Sequence, residues 1–416
     1  MKKRILAAII AAVFAVLNVA SALPVFALDE STTRYPTPEG YNDHDYQKLV
    51  AFLEQTDDEG VKNGEKLSDN YDPNDPTTWG TYWNGQRFQW IESGGELRIQ
   101  KIYVDYENLC GALDVNGCTA LEHLSCINNN LTALDVSGCT ALERLECSSN
   151  NLTSLDVSNN TALTSLGCSR NNLTSLDVSN NTALTYLFCS SNNLTELEVS
   201  NNTVLETLYC DDNNLTALDV SSNTAFTYLN CYNNNLTELD VSNNTALYGL
   251  YCHGNSLTEL DLSHNSYLPL DCVKSEGNGT IGYCHYSYEY AVIAVPNSGA
   301  EFIGWFNEAG ELMVSVDECY FDGYYNAYGW DFSSTTENTF IAKFTEAEPI
   351  PGDADGDGEL TSDDVLMLMR AVMELEELTD EMLANCDMNG DGVVNFTDAL
   401  IMLRMVLNTQ PNIAAC

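Results

Sequence analysis

Leucines recur along this chain at a fixed interval. Leu121, Leu142, Leu163, Leu184, Leu205, Phe226 and Leu247 open successive segments of equal length, of which "LERLECSSNNLTSLDVSNNTA" from Leu142 is typical. Inside each segment the same apolar spacing occurs twice. Leu152, Leu155, Val157 and Asn160 set out a pattern that Leu163, Leu166, Cys168 and Asn171 repeat directly afterwards. Alternation in "TSLDVS" and "TSLGCS" predicts a short strand on each arc, with every second side chain turned inward. The expectation is a flattened β-solenoid with parallel ladders on both faces and little helix.

A repeat of this kind, carrying L-x-x-L-x-C-x-x-N, resembles the leucine-rich repeat family, in a 21-residue bacterial form. The resemblance covers residues 97–272 and includes a degenerate copy around Asn108 to Ala120. It explains a column of cysteines: Cys126, Cys147, Cys168, Cys189, Cys210, Cys231 and Cys252. Each takes a leucine-type core slot, where a thiol packs as a small hydrophobe. Strands in register lie about 4.8 Å apart, whereas a disulfide brings Cβ atoms to about 3.8 Å. Free thiols are therefore expected in this column. Ligands placed one per coil in a dry core also lack tetrahedral convergence on a metal. Cys118 and Cys139 sit in turns of adjacent coils and are the better candidates for a bridge. The asparagine column Asn129, Asn150, Asn171, Asn192, Asn213, Asn234 and Asn255 is expected to turn inward and bond the backbone of the bend.

Two outward columns carry candidate chemistry. Beside the cysteines, the later coils place Tyr186, Phe188, Tyr209, Tyr228, Tyr232, Tyr251 and His253, where earlier coils have Ser165, Gly167 and Ser169. Such a patch reads either as a recognition face for a protein or a glycan or as a ladder of rings that steadies the strands. The other arc turns Asp135, Asp156, Asp177, Glu198, Asp219, Asp240 and Asp261 outward. Like charges about 5 Å apart in water repel by roughly 0.8 kcal/mol per pair. Bound cations, or hydrogen bonds from Thr153 and Thr174, would offset that; the simpler reading is a solvated, solubilising face.

Before the coils, "NDHDYQKLVAFLEQ" predicts a short helix starting at Asn42/Asp43, with Leu49, Val50, Phe52 and Leu53 apolar. Trp79, Trp83 and Trp90 follow among proline turns. Residues 28–96 look like the N-terminal cap of a leucine-rich repeat protein, with the tryptophans in its core. After the coils, residues 273–346 change character. Phe302, Gly304, Trp305 and Gly310 give an F-x-G-W…G pattern that resembles the small β-rich repeat domains of bacterial surface proteins, of the internalin B-repeat type. That implies a cap, spacer or adhesion module. "TEAEPIPG" contains the linker, 347–351.

Carboxylates then concentrate twice at matching spacing, in "DADGDGELTSDD" from Asp353 and "DMNGDGVVNFTD" from Asp387. Numbered from Asp353, oxygen ligands fall at Asp353, Asp355, Asp357, Glu359 (by its carbonyl), Thr361 (through water) and Asp364, with Gly358 at the sharp turn. The second loop offers Asp387, Asn389, Asp391, Val393, Asn395 and Asp398 around Gly392. This is the calcium loop of an EF-hand with aspartate at its last position. An amphipathic helix follows each loop, and Pro349 and Pro351 argue against a helix before the first. The loop-plus-exiting-helix duplication over residues 352–416 resembles a type I dockerin. The resemblance implies two Ca2+ ions and docking to a cohesin of a scaffoldin. It implies recognition through Ser362, Asp363 and Arg370 in the first half and Phe396, Thr397 and Arg404 in the second. The halves differ at the first two of these positions.

Composition narrows the rest. The chain has 416 residues and a formal charge of −45, from 61 acidic and 16 basic side chains. Nucleic acid and anionic membrane surfaces need basic patches and are disfavoured as partners. Lys2, Lys3, Arg4 and the apolar run Ile5 to Val19 read as a secretory signal peptide, residues 1–27. The five histidines show no triad or metal spacing, and neither G-x-S-x-G nor H-E-x-x-H occurs. The fold class expected is mainly β: a leucine-rich-repeat β-solenoid with a small β-rich domain and an all-α calcium-binding dockerin. The function expected is that of a secreted, non-catalytic recognition or adhesion protein, tethered through dockerin and cohesin to a cellulosome-like, polysaccharide-degrading complex. The location implied is extracellular, on a scaffoldin complex or cell surface of an anaerobic bacterium. The alternative is a dockerin-bearing glycoside hydrolase. That needs two distinguishable carboxylates in a cleft, which a uniform acidic column does not supply.

Overall fold

The computed structural model describes residues 34–82, 85–268, 270, 272–286, 289–297, 300–315, 328–330, 339–345, 351–352, 354, 360–373, 385–390 and 392–409. The residues read as a signal peptide, Trp83 and most of the segment read as a linker lie outside them. The chain divides into two compact units at Phe226/Thr227.

The first unit opens with helix α1, Asp43–Leu53. Asn42 caps it by accepting the Asp45 N–H at 3.2 Å, which satisfies one of the orphan donors of the first turn. Leu49, Val50, Phe52 and Leu53 are buried, as their spacing predicts. A short helix, α2 (Asn63–Leu67), follows. Trp79 is buried against Tyr46 and Phe88, so it belongs to the cap core. The antiparallel pair Phe88–Ser93 and Glu96–Tyr103 leads into the coils.

From there, short parallel strands stack in register. Lys101, His123, Arg144, Ser165, Tyr186 and Thr207 occupy one column, and Tyr103, Ser125, Glu146, Gly167, Phe188 and Tyr209 another. Between them Leu124, Leu145, Leu166, Leu187 and Leu208 face the core and are buried. Each contributes roughly 1.5–3 kcal/mol by leaving water.

The opposite arc corrects the expectation of a second ladder. Strands occur there at Cys110–Asp114 and Asn130–Asp135, but from Leu152 to Val220 the arc is not in strand conformation. Side chains take donors of this arc in the strand-forming coil, where the Leu131 N–H goes to Asn150 Oδ1 at 3.0 Å, and in the later ones. The Leu152 N–H goes to Asn171 Oδ1 and the Leu173 N–H to Asn192 Oδ1, both at 3.0 Å. Further along each arc, the acidic side chain binds the N–H two residues on, as Asp156 does to Ser158 at 2.9 Å.

The asparagines do turn inward. Asn171 Nδ2 donates to the carbonyls of Cys147 and Cys168 at 3.1 and 3.0 Å. A second inward column, Asn160, Asn181 and Asn202, does the same on the other bend; Asn181 Nδ2 reaches the carbonyls of Val157 and Asn160 at 3.0 and 2.9 Å. Cys118 and Cys139 hold the equivalent places in the two preceding coils, both as buried free thiols. Cys139 Sγ donates to the Val115 carbonyl at 3.0 Å.

The second unit begins with two more parallel strands, Tyr228–Asn230 and Gly249–Tyr251. Then the direction reverses. Strand Gly279–Tyr286 runs antiparallel to Gly249–Tyr251 and pairs with Glu289–Pro296. On the other arc Cys272–Glu276 runs antiparallel to Glu259–Asp261. It pairs in parallel with Thr339–Phe344, which carries the Phe302–Phe306 and Leu312–Ser315 hairpin. Gly310, at φ +78°, makes the turn, and Trp305 is fully buried. The segment after the coils is thus continuous with both of their arcs. Two further helices, α3 (Ser362–Val372) and α4 (Phe396–Thr409), lie near the C-terminus.

Candidate calcium loops and recognition faces

The two loop–helix halves build one core from matching positions. Val365, Leu368 and Ala354 of the first half meet Ala399, Met402 and Val406 of the second, with Cys386 beside them. Val365 and Ala399, Leu368 and Met402, and the half-buried Leu360 and Val394 are pairs related by the same offset as the two loops. The duplication is therefore a structural symmetry. Gly352, at φ +94°, donates its N–H to the Asn385 carbonyl at 2.8 Å. A Cβ there would come within 2.9 Å of Leu360 Cδ1 and 3.1 Å of Met402 Cγ.

Each loop closes on a fully buried aspartate. Asp364 Oδ1 accepts the Ala354 N–H at 2.8 Å, and its Oδ2 accepts the Thr361 N–H at 2.6 Å. Asp398 repeats this with Met388 at 3.1 Å and Asn395 at 2.9 Å. One carboxylate thus ties loop positions 2 and 9 to the first turn of the helix. Asp387 gathers the N–H groups of Gly390 and Gly392 at 2.9 and 2.8 Å. Gly392, at φ +79°, makes the sharp turn expected of it. Asn395 Nδ2 meets the Val393 carbonyl at 2.8 Å. Asp353, Asp355, Asp357, Glu359 and Asp391 lie outside the described residues. Thr361 and Asp364 in the first loop, and Asp387, Asn389, Val393, Asn395 and Asp398 in the second, carry hard oxygen donors of the kind calcium takes. The described residues fit calcium.

The residues expected to meet a cohesin are all exposed: Ser362, Asp363, Arg370, Phe396, Thr397 and Arg404. Sequence reasoning missed their apolar company. Leu366 and Leu400, and Met369 and Leu403, are exposed on α3 and α4 at equivalent positions. The signal was available, because an amphipathic helix with apolar residues on its polar face has two partners.

On the solenoid of the first unit, Tyr186 is 40% exposed and Phe188 and Tyr209 are half-buried. The Tyr186 and Phe188 rings are nearly parallel, with centroids 6.5 Å apart, and Phe188 lies 5.2 Å from Tyr209. Upstream on the same face, burial raises the Glu146 carboxyl above its ordinary range. Burial, then Lys101 and Arg144, lowers His123.

In the second unit Tyr232 stacks on His253 at 5.0 Å, and Tyr251 is half-buried. Tyr228 and His253, read as outward, are instead buried, at 7% and 6% exposure. The Tyr251 ring, 6.0 Å away, packs beside Tyr228. Strand Gly279–Tyr286 lies directly on His253: a Cβ at Gly282 would come within 2.5 Å of the His253 Cα.

The acidic column is not held by Thr153 and Thr174. Serines two residues on do that work. Asp177, Glu198, Asp219, Asp240 and Asp261 each accept a serine N–H at 2.8–2.9 Å. The serine hydroxyls, then those N–H groups, lower all five carboxyls. The cysteine column is chemically quiet. Burial pushes the Cys168 thiol up to about 12 and raises those of Cys126, Cys147 and Cys189 as well, so the nucleophilic thiolate is suppressed.

His44, Asp45 and Cys118 place ligand atoms within 4.8 Å of one another. Asp45, however, is engaged by Arg98 at 2.7 and 3.0 Å and by the Ile99 N–H at 3.0 Å. A cation would have to displace a guanidinium, and burial keeps the Cys118 thiol protonated.

These features define a solenoid protein with a duplicated calcium-loop domain, and comparison with known families agrees. Residues 351–407 match the dockerin type I domain, and residues 148–170 and 232–247 match the leucine-rich repeat. The chain contains leucine-rich repeats and a type I dockerin domain. A dockerin implies cohesin binding, and type I dockerins in general bind calcium.

No curated protein sequence matches the chain. Among solved structures it is similar to a leucine-rich repeat protein of Leptospira interrogans, 21% identical over 40% of this chain and 50% of that one, with a TM-score of 0.34. It thus spans half the length of that protein. The functional domain of InlJ from Listeria monocytogenes, which includes a cysteine ladder, is 24% identical over 57% of this chain and 78% of that one, with a TM-score of 0.29. Internalin C2 of the same organism is 14% identical over 42% and 84%, with a TM-score of 0.36. Among the described residues no helix is long and apolar enough to cross a membrane.

Proposed function

We propose that this protein is a secreted, non-catalytic recognition component of a cellulosome-like, polysaccharide-degrading assembly. The dockerin fixes it to a scaffoldin cohesin, and the solenoid face holds a protein or glycan. Two Ca2+ ions order the dockerin loops, one through Asp353, Asp355, Asp357, Glu359, Thr361 and Asp364. The other is held by Asp387, Asn389, Asp391, Val393, Asn395 and Asp398. The cohesin meets the outer faces of α3 and α4 at Ser362, Asp363, Arg370, Phe396, Thr397 and Arg404, with Leu366 and Leu400 adding apolar area. Tyr186, Phe188 and Tyr209, and Tyr232 and Tyr251, are the recognition residues of the solenoid.

One observation carries this reading: two halves with the same carboxylate closure at Asp364 and Asp398, each leaving apolar and cationic side chains exposed on its helix. The absence of catalysis is supported by the uniform acidic column. Each carboxylate makes the same serine-capped turn, so none is set apart as acid or base. The test is binding of the full chain to a panel of cohesins, with calcium and then with a chelator. Tight binding that disappears on chelation supports the reading. Calcium-dependent folding with no cohesin partner sinks it.

A further inference from the structure

A cavity of about 800 Å3 opens between the cap and the first coil. Asp57 and Asp58 line it from the loop after α1, Lys66 from α2, and Tyr106, Glu107 and Asn130 from the coil. Its charges are mostly matched already. Lys66 Nζ lies 2.8 Å from Asp57 Oδ2 and donates to the Asn108 carbonyl at 2.9 Å. Glu107 is paired with Arg87. Asp58 makes no ion pair among the described residues.

Tyr106 is the anomaly. Its backbone is left-handed, at φ +61°. The same bend in later coils is left-handed too, at Asn128, Ser149, Arg170, Ser191 and Asp212. Serine and arginine hold that conformation as well as asparagine and aspartate, so it belongs to the bend; Tyr106 is the one place among these where the bend carries an aromatic ring. The ring gains no burial there, for Tyr106 is 68% exposed. Packing does not account for it, and an exposed aromatic ring at the rim of a cavity points to use.

The chemistry of the wall selects the ligand. A cation finds, among the described residues, a single unpaired carboxylate, Asp58, beside Asp57 and Glu107, which are already paired. An anion meets Asp58 on a chain of charge −45. An apolar molecule would strand hydrogen-bonding groups. A ligand with many hydroxyls and one C–H face suits an aromatic ring flanked by carboxylate and amide groups. We propose that this cavity binds a neutral glycan, one sugar ring lying on Tyr106 and its hydroxyls bonded to Asp58 and Asn130. The site is independent of the dockerin and of the aromatic solenoid face.

The experiment takes the full calcium-loaded chain to an array of neutral and uronate-containing glycans, then to calorimetry with the neutral oligosaccharides retained. The decisive variant is Tyr106→Asn, which restores a side chain that the repeat itself uses at this bend. Binding should fall by at least about tenfold, with the melting temperature unchanged or raised. Asp58→Ala should also weaken binding. Retention of no neutral glycan, preference for uronates, or binding untouched by both variants overturns the proposal. Cohesin docking plays no part in these readouts, so failure here is separate from failure of the dockerin reading.

Discussion

Asp45, fully buried on the cap helix, accepts from Nε and Nη2 of Arg98 on the first long strand, at 2.7 and 3.0 Å. The same carboxylate accepts the Ile99 N–H at 3.0 Å. This pair is one of the ties between the cap and the stack, beside Lys48 on Asp114 and Gln55 on the Ala112 carbonyl. Removing one partner leaves a buried charge uncompensated, which costs about 3–5 kcal/mol. Arg98→Ala should therefore lower the melting temperature sharply and expose α1 to hydrogen exchange before the coils. Asp45→Asn, which keeps an acceptor, should cost less. Equal protection of cap and coils in Arg98→Ala would contradict this.

The two asparagine columns should respond differently. Asn171 satisfies both the Leu152 N–H and the carbonyls of Cys147 and Cys168. Asn181 only donates, and its Oδ1 is buried without a partner. Asn171→Cys should cost roughly 1–3 kcal/mol by orphaning a backbone donor. Asn181→Cys should cost less, since the chain itself places Cys139 at the corresponding site. Denaturant unfolding of the two variants decides it.

Acid should loosen the acidic arc. The folded carboxyls of Asp177, Glu198, Asp219, Asp240 and Asp261 lie below their ordinary values because serines bond the charged form. A depressed acid stabilises fully above its unfolded value, about 4, and that support is lost as pH falls through the lower folded value. Thermal stability should hold above about pH 4 and decline beneath it. Ser179→Ala with Ser221→Ala should soften that decline. A decline of the same depth in this variant would locate the acid sensitivity elsewhere.

The dockerin halves should not be equivalent. Phe396 exposes 51% of its surface where the first half has Ser362, and Thr397 stands where the first half has the charged Asp363. An exposed ring is the better anchor. Phe396→Ala should weaken cohesin binding by about 2 kcal/mol, near the hot-spot threshold, whereas Ser362→Ala should hardly change it. Equal losses in surface plasmon resonance would mean that both faces are used alike.

Most of this was readable because it is local and periodic. The cysteine and asparagine columns, the cap helix from Asp43 and the calcium loops each follow from spacing within one coil or one loop. What escaped depends on backbone detail or on distance. No pattern of apolar residues shows that the second arc leaves strand conformation after Asn130–Asp135. Nothing near Tyr228 and His253 tells that a ring from the next coil and a strand well downstream will cover them. The cavity at Tyr106 joins segments far apart in the chain, and only the odd residue at a repeated bend marked it.

The antiparallel strand Gly279–Tyr286 sets a limit on growth. A stack of identical coils has no inherent length, and its last edge is a template for another coil of the same chain or of a neighbour. Reversing the direction on Gly249–Tyr251 withdraws that template. A repeat array closed in this way can lengthen over generations by duplicating coils upstream, without leaving its last coil as a parallel edge for the next.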